Sequence, residues 1–351
     1  MKKIAIDCSK LNTHYKTGTH RFLIGFLNEL IKQKENKYYF YFSEEVKNNS
    51  DFEFLGSGEV VIIKSSFFTQ IGLLGELGKY DIFIFPWQTL PYLGFLSKTS
   101  KIAIIHDFGF SFRSRLTTFL TQIFADKLFS VSSFTANKLL RKSFLITEGV
   151  DKNIFYKIKE TELGKLRKEN KLPEQFILSL GRIEERKNIY NNLLAFKKVS
   201  KFYPNLFYCF IGSFSIPEDK IYSFMADHKI DRSKILFKNY LSDFEVNLYL
   251  NSCEFLVFTS KDEGFGLPVI EAYSVDKAVI LSKNPQLAEL SLSANQLASY
   301  DSPKEIADKM IYFLTNKSKV KKELDFDLIL SKYSWKESVK MFMGGLKSNE
   351  N

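Results

Sequence analysis

Residues 255–273 read FLVFTSKDEGFGLPVIEAY, and this stretch says most about the fold and the kind of site in the chain. Its apolar run ends at Ser260 and is typical of a buried strand, and the turn Gly264-Phe265-Gly266 follows. Pro268 suits the first turn of a helix, where its missing N–H and fixed φ do no harm. The stretch therefore predicts a strand, a glycine turn and a helix over Pro268–Ser274.

The start of that helix is predicted to bind a phosphate, because free N–H groups and the helix dipole converge there and glycine lets an anion approach the backbone. Two carboxylates eight residues apart flank the turn. Glu263 can accept hydrogen bonds from sugar hydroxyls, and Glu271, placed in the first helical turn, can accept them from a ribose diol. The alternative is a glycine loop with two solvated acids. The candidate residues for binding the molecule that carries this phosphate, here called the donor, are Gly264, Phe265, Gly266, Leu267 and Glu271.

A second candidate segment, GRIEERKN at residues 181–188, follows the apolar run Phe176–Leu180. Arg182 offers a planar fork for diphosphate oxygens, and Lys187 adds a point charge. Cations at this position stabilise a diphosphate leaving group as its bond to a sugar breaks. Arg182, Lys187 and Glu263 are therefore candidate catalytic residues, and the alternative for the segment is an exposed charged loop.

Outward from these segments, short apolar runs alternate with amphipathic helical patterns, which is typical of parallel sheets covered on both faces. The pattern restarts near residue 150, so two doubly wound Rossmann-like domains are predicted. Strands are predicted at Lys3–Ile6, Tyr38–Phe42, Val60–Ile63, Asp81–Phe85, Lys101–Ile105, Leu128–Val131, Phe176–Leu180, Leu206–Ile211, Ile235–Phe237, Phe255–Phe258 and Ala278–Leu281. The predicted domains are residues 1–160 and 161–335, and residues 336–351 are predicted to form a helix that packs back on the first domain.

Composition allows two domains in 351 residues, and the net charge of +10 is concentrated in the first half. A basic half can meet an anionic membrane or a phosphate-bearing substrate, or it can simply be a solubilising surface. No nucleic-acid-reading motif accompanies it, so no nucleic acid partner is expected.

Cysteine usage and hydropathy point to a cytoplasmic protein. Cys8, Cys209 and Cys253 are far apart in apolar runs, which predicts buried thiols in a reducing compartment. The first apolar run is too short for a signal peptide, and no stretch approaches the roughly 20 apolar residues of a membrane helix.

The segments GRIEERKN and EGFGLPVIEA resemble the retaining glycosyltransferases of the GT-B fold, glycosyltransferase family 4, in which Glu263 and Glu271 match an E-x7-E motif. Shorter similarities run along the chain at Val131–Thr135, Gly149–Asp151, Phe210–Ser213, Tyr240–Asp243 and Tyr333–Trp335. The resemblance implies two Rossmann-like domains that face each other across a cleft, of which the first binds the acceptor and the second the donor. It also implies donor contacts at Gly212, Ser213, Tyr240 and Leu241.

In the first domain the resemblance implies a histidine near the reacting sugar carbon, and His106 stands at that position at the end of the run Ile104-Ile105. The alternative is a strand-end histidine bonded to backbone. Gly18 fits the family's glycine opposite the diphosphate, although His20 stands where a second glycine is frequent. Glu148 stands where the family usually has Asn.

Asp325-Phe326-Asp327 resembles the metal-binding DxD motif of the other glycosyltransferase fold, but its setting predicts an ordinary amphipathic helix. The Arg182–Lys187 pair and the helix start are expected to replace a metal ion. We therefore expect no metal and no cofactor, and a UDP- or GDP-hexose as substrate.

The stretch Phe108–Phe129 combines six phenylalanines with Arg113 and Arg115. It predicts a helix that either lies at a membrane interface or packs its apolar face on the core.

The resemblance implies transfer of a hexosyl group from a nucleoside-diphosphate sugar to a hydroxyl of a glycan or lipid-linked acceptor, with retained anomeric configuration. The setting would be bacterial surface polysaccharide synthesis at the inner face of the membrane. The alternatives are a catalytically silent GT-B partner subunit, and a sugar-nucleotide epimerase or phosphorylase on the same fold.

Overall fold

The computed structural model describes residues 1–12, 17–46, 52–108 and 112–348. It divides into two compact units: Met1–Gly149 with Tyr333–Asn351, and Val150–Lys332. The first boundary lies before the predicted residue 160, because the segment ahead of it is bonded to the second unit. The Ile158 N–H donates to Asn251 Oδ1 at 2.9 Å, and Lys157 Nζ lies 2.7 Å from Asp276 Oδ2.

The first unit contains a seven-stranded parallel sheet in the order β3-β2-β1-β4-β5-β6-β7. The strands are β1 Lys3–Asp7, β2 Lys37–Phe42, β3 Glu59–Ile62, β4 Ile82–Phe85, β5 Ser100–Ile105, β6 Lys127–Ser130 and β7 Phe144–Leu145. The helices between them are α1 Gly18–Leu30, α2 Phe112–Phe124 and α3 Ser133–Asn137. The strand order reverses between β1 and β4, so a crevice is expected where the carboxyl ends of these two strands diverge.

The second unit repeats this plan with a six-stranded parallel sheet in the order β10-β9-β8-β11-β12-β13. The strands are β8 Gln175–Leu180, β9 Leu206–Ile211, β10 Ile235–Lys238, β11 Leu256–Phe258, β12 Val279–Ser282 and β13 Leu297–Ala298. The helices are α4 Glu160–Glu169, α5 Ile189–Val199, α6 Glu218–Asp227, α7 Asp243–Ser252, α8 Leu267–Ser274, α9 Pro285–Ala288, α10 Pro303–Thr315, α11 Lys317–Glu323 and α12 Phe326–Lys332. Here the order reverses between β8 and β11.

The central strands are buried on both faces, as their continuous apolar runs predict. The predicted strands are all present, with ends that coincide or differ by one residue, and the three cysteines are buried as expected. Two short edge strands, β7 and β13, were not predicted, because two residues carry no periodicity.

The last helix, α13 Trp335–Lys347, returns to the first unit and packs on α1. Gly25 makes room for Trp335: a Cβ at residue 25 would lie 2.2 Å from its indole ring. The Phe342 ring lies 5.1 Å from the Phe26 ring and 4.7 Å from the Phe129 ring. Apolar residues from both ends of the chain therefore share one core.

Candidate functional site

The loop after β8 is fixed by its backbone and by one asparagine. Gly181 has φ of 117°, and a short turn over Glu185–Lys187 ends at Asn188, whose φ of 65° is left-handed. The buried Asn188 amide donates to the Tyr300 carbonyl at 2.6 Å. These constraints give the Lys187 side chain a defined direction.

The loop after β9 is locked to the loop after β8. The Gly181 N–H donates to the Ile211 carbonyl at 3.0 Å, and the Ile183 N–H donates to the Ser213 carbonyl at 2.8 Å. Gly212 has φ of 149°, and a Cβ there would lie 2.1 Å from the Gly181 carbonyl oxygen. Only glycine therefore fits at position 212.

Glu263, which follows β11, meets two cations from the β8 loop. Its Oε1 lies 2.5 Å from Lys187 Nζ, and its Oε2 lies 3.1 Å from Arg186 Nη1. The Glu263 side chain is 9% exposed and that of Lys187 is 18% exposed, so water screens the attraction only weakly. The Lys187 ammonium also lies 4.7 Å from the centre of the Phe258 ring.

Burial and charge act against each other on these groups. Burial alone would raise the pKa of Glu263, but the charges of Lys187 and Arg186 outweigh it and lower that pKa below its usual value of 4.5. Burial also lowers the pKa of Lys187, partly offset by the Glu263 charge. Glu263 is therefore ionised at neutral pH and offers lone pairs to hydroxyl donors.

Arg186 was not assigned a role from the sequence, although it lies in the quoted GRIEERKN segment. It also bonds Glu184 Oε1 at 2.7 Å and donates to the Asp262 carbonyl at 2.6 Å, so it ties the β8 loop to the β11 loop. Arg182, in contrast, is exposed, and its guanidinium has no hydrogen-bond or ion-pair partner among the residues that the structure describes. It is thus available to an anion.

The helix start that follows Glu263 has the predicted form. Gly266 precedes α8 with φ of 115°, and Pro268 is its second residue. Within the described ranges, the N–H groups of Gly264, Gly266 and Leu267 donate to no protein acceptor. Such N–H groups at a helix start suit an oxyanion.

Glu271 departs from its predicted position. It was expected in the first helical turn, but α8 begins at Leu267, one residue early, so Glu271 is its fifth residue and opens the second turn. Its side chain is buried, with 4% of the residue exposed.

The other candidate residues of the second unit follow neighbouring strands. Gly212 and Ser213 come directly after β9, and Tyr240 and Leu241 follow β10. Because the carboxyl ends of parallel strands share one edge, these residues, Arg182, Lys187 and Glu263 all lie along one side of the sheet. A small cavity on this edge is lined by Arg182, Lys187, Phe210 and Ser260, among others.

His106 follows β5 in the first unit and is 7% exposed. Its Nδ1 lies 3.8 Å from Glu148 Oε1, and its ring meets Phe22 edge-on at 4.8 Å. Its Nε2 is buried, with no hydrogen-bond partner in the described part of the chain. A buried polar atom without a partner is a candidate ligand contact.

Gly18 is the exposed first residue of α1, preceded by Thr17. Within that first turn, His20 Nδ1 accepts from Thr17, and His20 Nε2 lies 2.6 Å from the Lys10 carbonyl oxygen. Nδ1 therefore caps α1, and Nε2 ties the start of the helix to the segment that follows β1. Lys16, in the same loop, lies outside the described residues.

Asp7, at the end of β1, was not singled out from the sequence. It is fully buried; its Oδ1 accepts from the Ser9 N–H at 3.0 Å, while no described group bonds Oδ2. Burial raises the pKa of Asp7 from 3.8 to about 6.

We expect this carboxyl to destabilise the folded chain at neutral pH. Because the pKa of Asp7 is higher in the folded than in the unfolded chain, the folded chain holds the proton more tightly. The contribution of Asp7 to stability therefore falls as the pH rises from 3.8 to about 6. Asp7→Asn should therefore unfold less readily than wild type, with an advantage that grows by about 1–2 kcal/mol between about pH 5 and pH 8. Urea unfolding of both proteins at each pH measures this, and an advantage independent of pH would contradict it.

Asp325 caps a helix: its Oδ1 accepts from the Leu328 N–H at 3.0 Å at the start of α12. Among the described residues, no group of three or more His, Cys, Asp or Glu side chains is arranged to hold a metal ion. The same part of the chain contains no helix with the length and hydropathy that crossing a membrane requires.

Comparison with known sequences finds a family model that matches most of the second unit. Residues 164–326 match the family model described as Glycosyl transferases group 1. The serotype-specific mannosyltransferase WbdA of Escherichia coli is 28% identical over 177 residues, which are 47% of this chain and 22% of WbdA. An uncharacterized glycosyltransferase of Methanocaldococcus jannaschii is 24% identical over 223 residues, 61% of this chain and 57% of that protein. The matches thus span less than two thirds of either relative.

Solved structures extend the similarity to both units. Anabaena HepE in complex with UDP and glucose superposes with a TM-score of 0.80 at 15% identity, covering 99% of this chain and 100% of HepE. Sucrose-phosphate synthase of Thermosynechococcus elongatus gives 0.74 at 16% identity, covering 99% and 98%. At these identities the likeness shows the fold, and it confirms the predicted GT-B class of two parallel-sheet α/β domains.

Proposed function

We propose that this protein is a hexosyltransferase of the retaining GT-B kind, glycosyltransferase family 4, which takes its sugar from UDP- or GDP-hexose. The observation that carries the proposal is the β8–β11 edge of the second unit. There an exposed Arg182, a largely buried Lys187–Glu263 pair and unbonded N–H groups at the start of α8 lie at the point of strand reversal.

Each group has a proposed task in the transfer. The diphosphate is bound by the N–H groups of Gly264, Gly266 and Leu267 and by Arg182 and Lys187. As the sugar–phosphate bond breaks, negative charge grows on the leaving group, and the two cations stabilise it. Glu263, ionised by its neighbours, accepts hydrogen bonds from sugar hydroxyls, and Glu271 accepts them from the ribose.

The remaining assignments are proposals that rest on the family resemblance. Gly212, Ser213, Tyr240 and Leu241 are proposed to contact the base and ribose, and Gly18 a phosphate. His106 is proposed to bond a substrate hydroxyl through its buried Nε2, which has no described partner. The acceptor is proposed to be a glycan or lipid-linked hydroxyl in surface polysaccharide synthesis in the cytoplasm, and neither metal nor cofactor is invoked. Support for this setting comes from the similarity to WbdA, which is a mannosyltransferase.

A ligand screen tests the proposal directly. UDP, GDP and their hexoses are added to the purified chain, and a donor should raise the melting temperature because it binds only the native state. NMR of the product should then show a retained anomeric configuration. If no nucleotide sugar is bound or consumed, the silent-subunit alternative is favoured. A product formed without acceptor favours an epimerase.

Arg182→Ala separates the anion contact from the fold. The Arg182 guanidinium is exposed and forms no hydrogen bond or ion pair with the residues that the structure describes. Its loss should therefore leave the melting temperature within about 1 °C of wild type. Loss of a charge-assisted contact to phosphate should weaken donor affinity by about 10–100-fold, measured by calorimetry. Equal affinity in the two proteins would show that the diphosphate does not reach Arg182.

A further inference from the structure

Helix α2 is turned with its apolar side outward. Its buried residues are polar, namely Thr118, Thr121 and Gln122. Its large apolar residues Phe112, Leu116, Phe119 and Ile123 are 43 to 80% exposed. These four apolar residues therefore do not pack on the core, whereas Phe124 at the end of the helix does.

Hydrogen bonds to neighbouring segments hold the polar face of α2 inside. Thr121 Oγ1 donates to the Gln88 carbonyl at 2.8 Å, and Gln122 Oε1 accepts from the Leu140 N–H at 2.7 Å. Arg141 Nη1 donates to the Gln122 carbonyl at 2.7 Å. Because these bonds satisfy the buried groups, the outward orientation of the apolar face is a fixed feature of the fold.

Two neighbouring turns enlarge the apolar surface. The turn Tyr92–Leu96 packs on α2, with the Tyr92 and Phe124 rings 5.6 Å apart. The turn Phe68–Gly72 joins it through Gln70, whose amide bonds the Leu90 carbonyl and the Tyr92 N–H. We define the apolar platform as α2 and these two turns. Its further exposed residues, 58 to 83% exposed, are Phe67, Ile71, Leu93, Phe95 and Leu96.

The charged side chains within the apolar platform are both basic, and Glu76 and Asp126, the nearest acidic residues along the chain, are each paired with a lysine. At about 100° per residue, the four apolar residues of α2 fall within an arc of roughly 60°, and Arg113 and Arg115 lie on its opposite borders. Residues 67–75, 92–98 and 112–124 contain no Asp or Glu, and Lys98 adds a third cation. An apolar stripe bordered by cations is the pattern of a helix that lies in an anionic lipid interface.

We propose that the apolar platform binds the surface of an anionic bilayer, with α2 lying in the plane of the membrane. Nine large apolar residues of the platform are exposed, and such a concentration is unusual on a soluble monomer. The absence of acidic residues favours lipid headgroups of negative charge over a second copy of this basic chain, whose platform would bring like charges together. The inference concerns a surface of the first unit and does not depend on the proposed transfer reaction.

Sedimentation with vesicles tests the proposal. The full chain should bind vesicles of phosphatidylcholine mixed with phosphatidylglycerol, and more weakly those of phosphatidylcholine alone. The double variant Leu116→Ser, Phe119→Ser should lose at least about tenfold in the partition coefficient, because both side chains enter the bilayer boundary. Arg113→Gln with Arg115→Gln should lose the preference for anionic lipid and its salt dependence. Phe202→Ser is the control: Phe202 lies in the second unit and is 71% exposed, more than Leu116 or Phe119, so this variant should bind like wild type.

A label measures which surface enters the membrane. Cys8, Cys209 and Cys253 are buried, so a thiol-reactive environment-sensitive dye attaches selectively to a cysteine introduced by Ile123→Cys. Its emission should shift to the blue on anionic vesicles, whereas the same dye at Phe202→Cys should not respond. The proposal fails if wild type binds no vesicle, or if the platform variants bind as wild type does. It also fails if light scattering shows a dimer that only the platform variants dissociate.

Discussion

Lys187→Met is expected to lower kcat/KM for the nucleotide sugar by about 10²–10³-fold, because the variant loses a cation that stabilises charge on the departing diphosphate. It is also expected to lower the free energy of unfolding by about 2–4 kcal/mol. In the variant, Glu263 keeps its pair with Arg186 but loses the ammonium group of Lys187. Steady-state kinetics and urea unfolding measure the two effects separately. The Lys187→Met variant should be assayed at low temperature, where its loss of stability interferes least with the kinetic measurement.

The stability loss should depend on pH in a known direction. In wild type the pKa of Glu263 lies below 4.5, so its pairing stabilises the fold above that pH and ceases to do so as pH falls through the folded pKa. The gap between wild type and Lys187→Met should therefore be largest near neutral pH and shrink at about pH 4.

Lys304→Met is the matched control, because Lys304 forms an exposed pair with Asp308 at 3.0 Å on α10. It should change stability by less than about 1 kcal/mol and leave kcat/KM unaltered. A Lys187 variant that keeps wild-type kcat/KM would remove this residue from the reaction, whatever happens to its stability.

Gly212→Ala is expected to destabilise the second unit by several kcal/mol, of the order seen when a strained or overpacked backbone site is forced open. The new methyl carbon would lie 2.1 Å from the Gly181 carbonyl oxygen and 3.1 Å from the Arg182 nitrogen. Both neighbours are backbone, so the β8 and β9 loops must separate. Donor affinity should fall together with the melting temperature, since Arg182 moves with the loop.

Gly164→Ala provides the comparison for that substitution. Gly164 lies within α4 of the same unit, and a Cβ there meets nothing within 4 Å. Alanine should be neutral or stabilise the protein by up to about 1 kcal/mol through its helix propensity. Similar melting temperatures for the two variants would contradict the close approach at Gly212.

The sequence was sufficient for those parts of the site that depend on local pattern. The apolar run before Ser260 and the glycine turn located the start of α8, and the charged segment after β8 located its partner loop. It was not sufficient to decide that Arg186 and Lys187 turn inward to Glu263 while Arg182 stays exposed. That choice depends on the left-handed backbone of Asn188 and on its bond to Tyr300, 112 residues away in the chain.

The orientation of helix α2 was also not predictable from the sequence. Its apolar spacing predicted an amphipathic helix, but periodicity does not say which face meets the core. The buried face is polar because Gln88 and Leu140 supply partners for it, and such contacts between distant residues leave no local signal. In the sequence, Asp7 likewise shows only as a polar residue at the end of an apolar run, and nothing in that pattern indicates its burial.

The return of α13 to the first unit has a consequence for how the polypeptide matures. Topologically, residues 150–332 are an insertion, and the first unit cannot complete its interior until Trp335–Lys347 has left the ribosome. During synthesis the pocket at Gly25 that receives Trp335 stays open to solvent while the inserted unit is already free to fold. The order of folding is thus expected to run opposite to the order of translation.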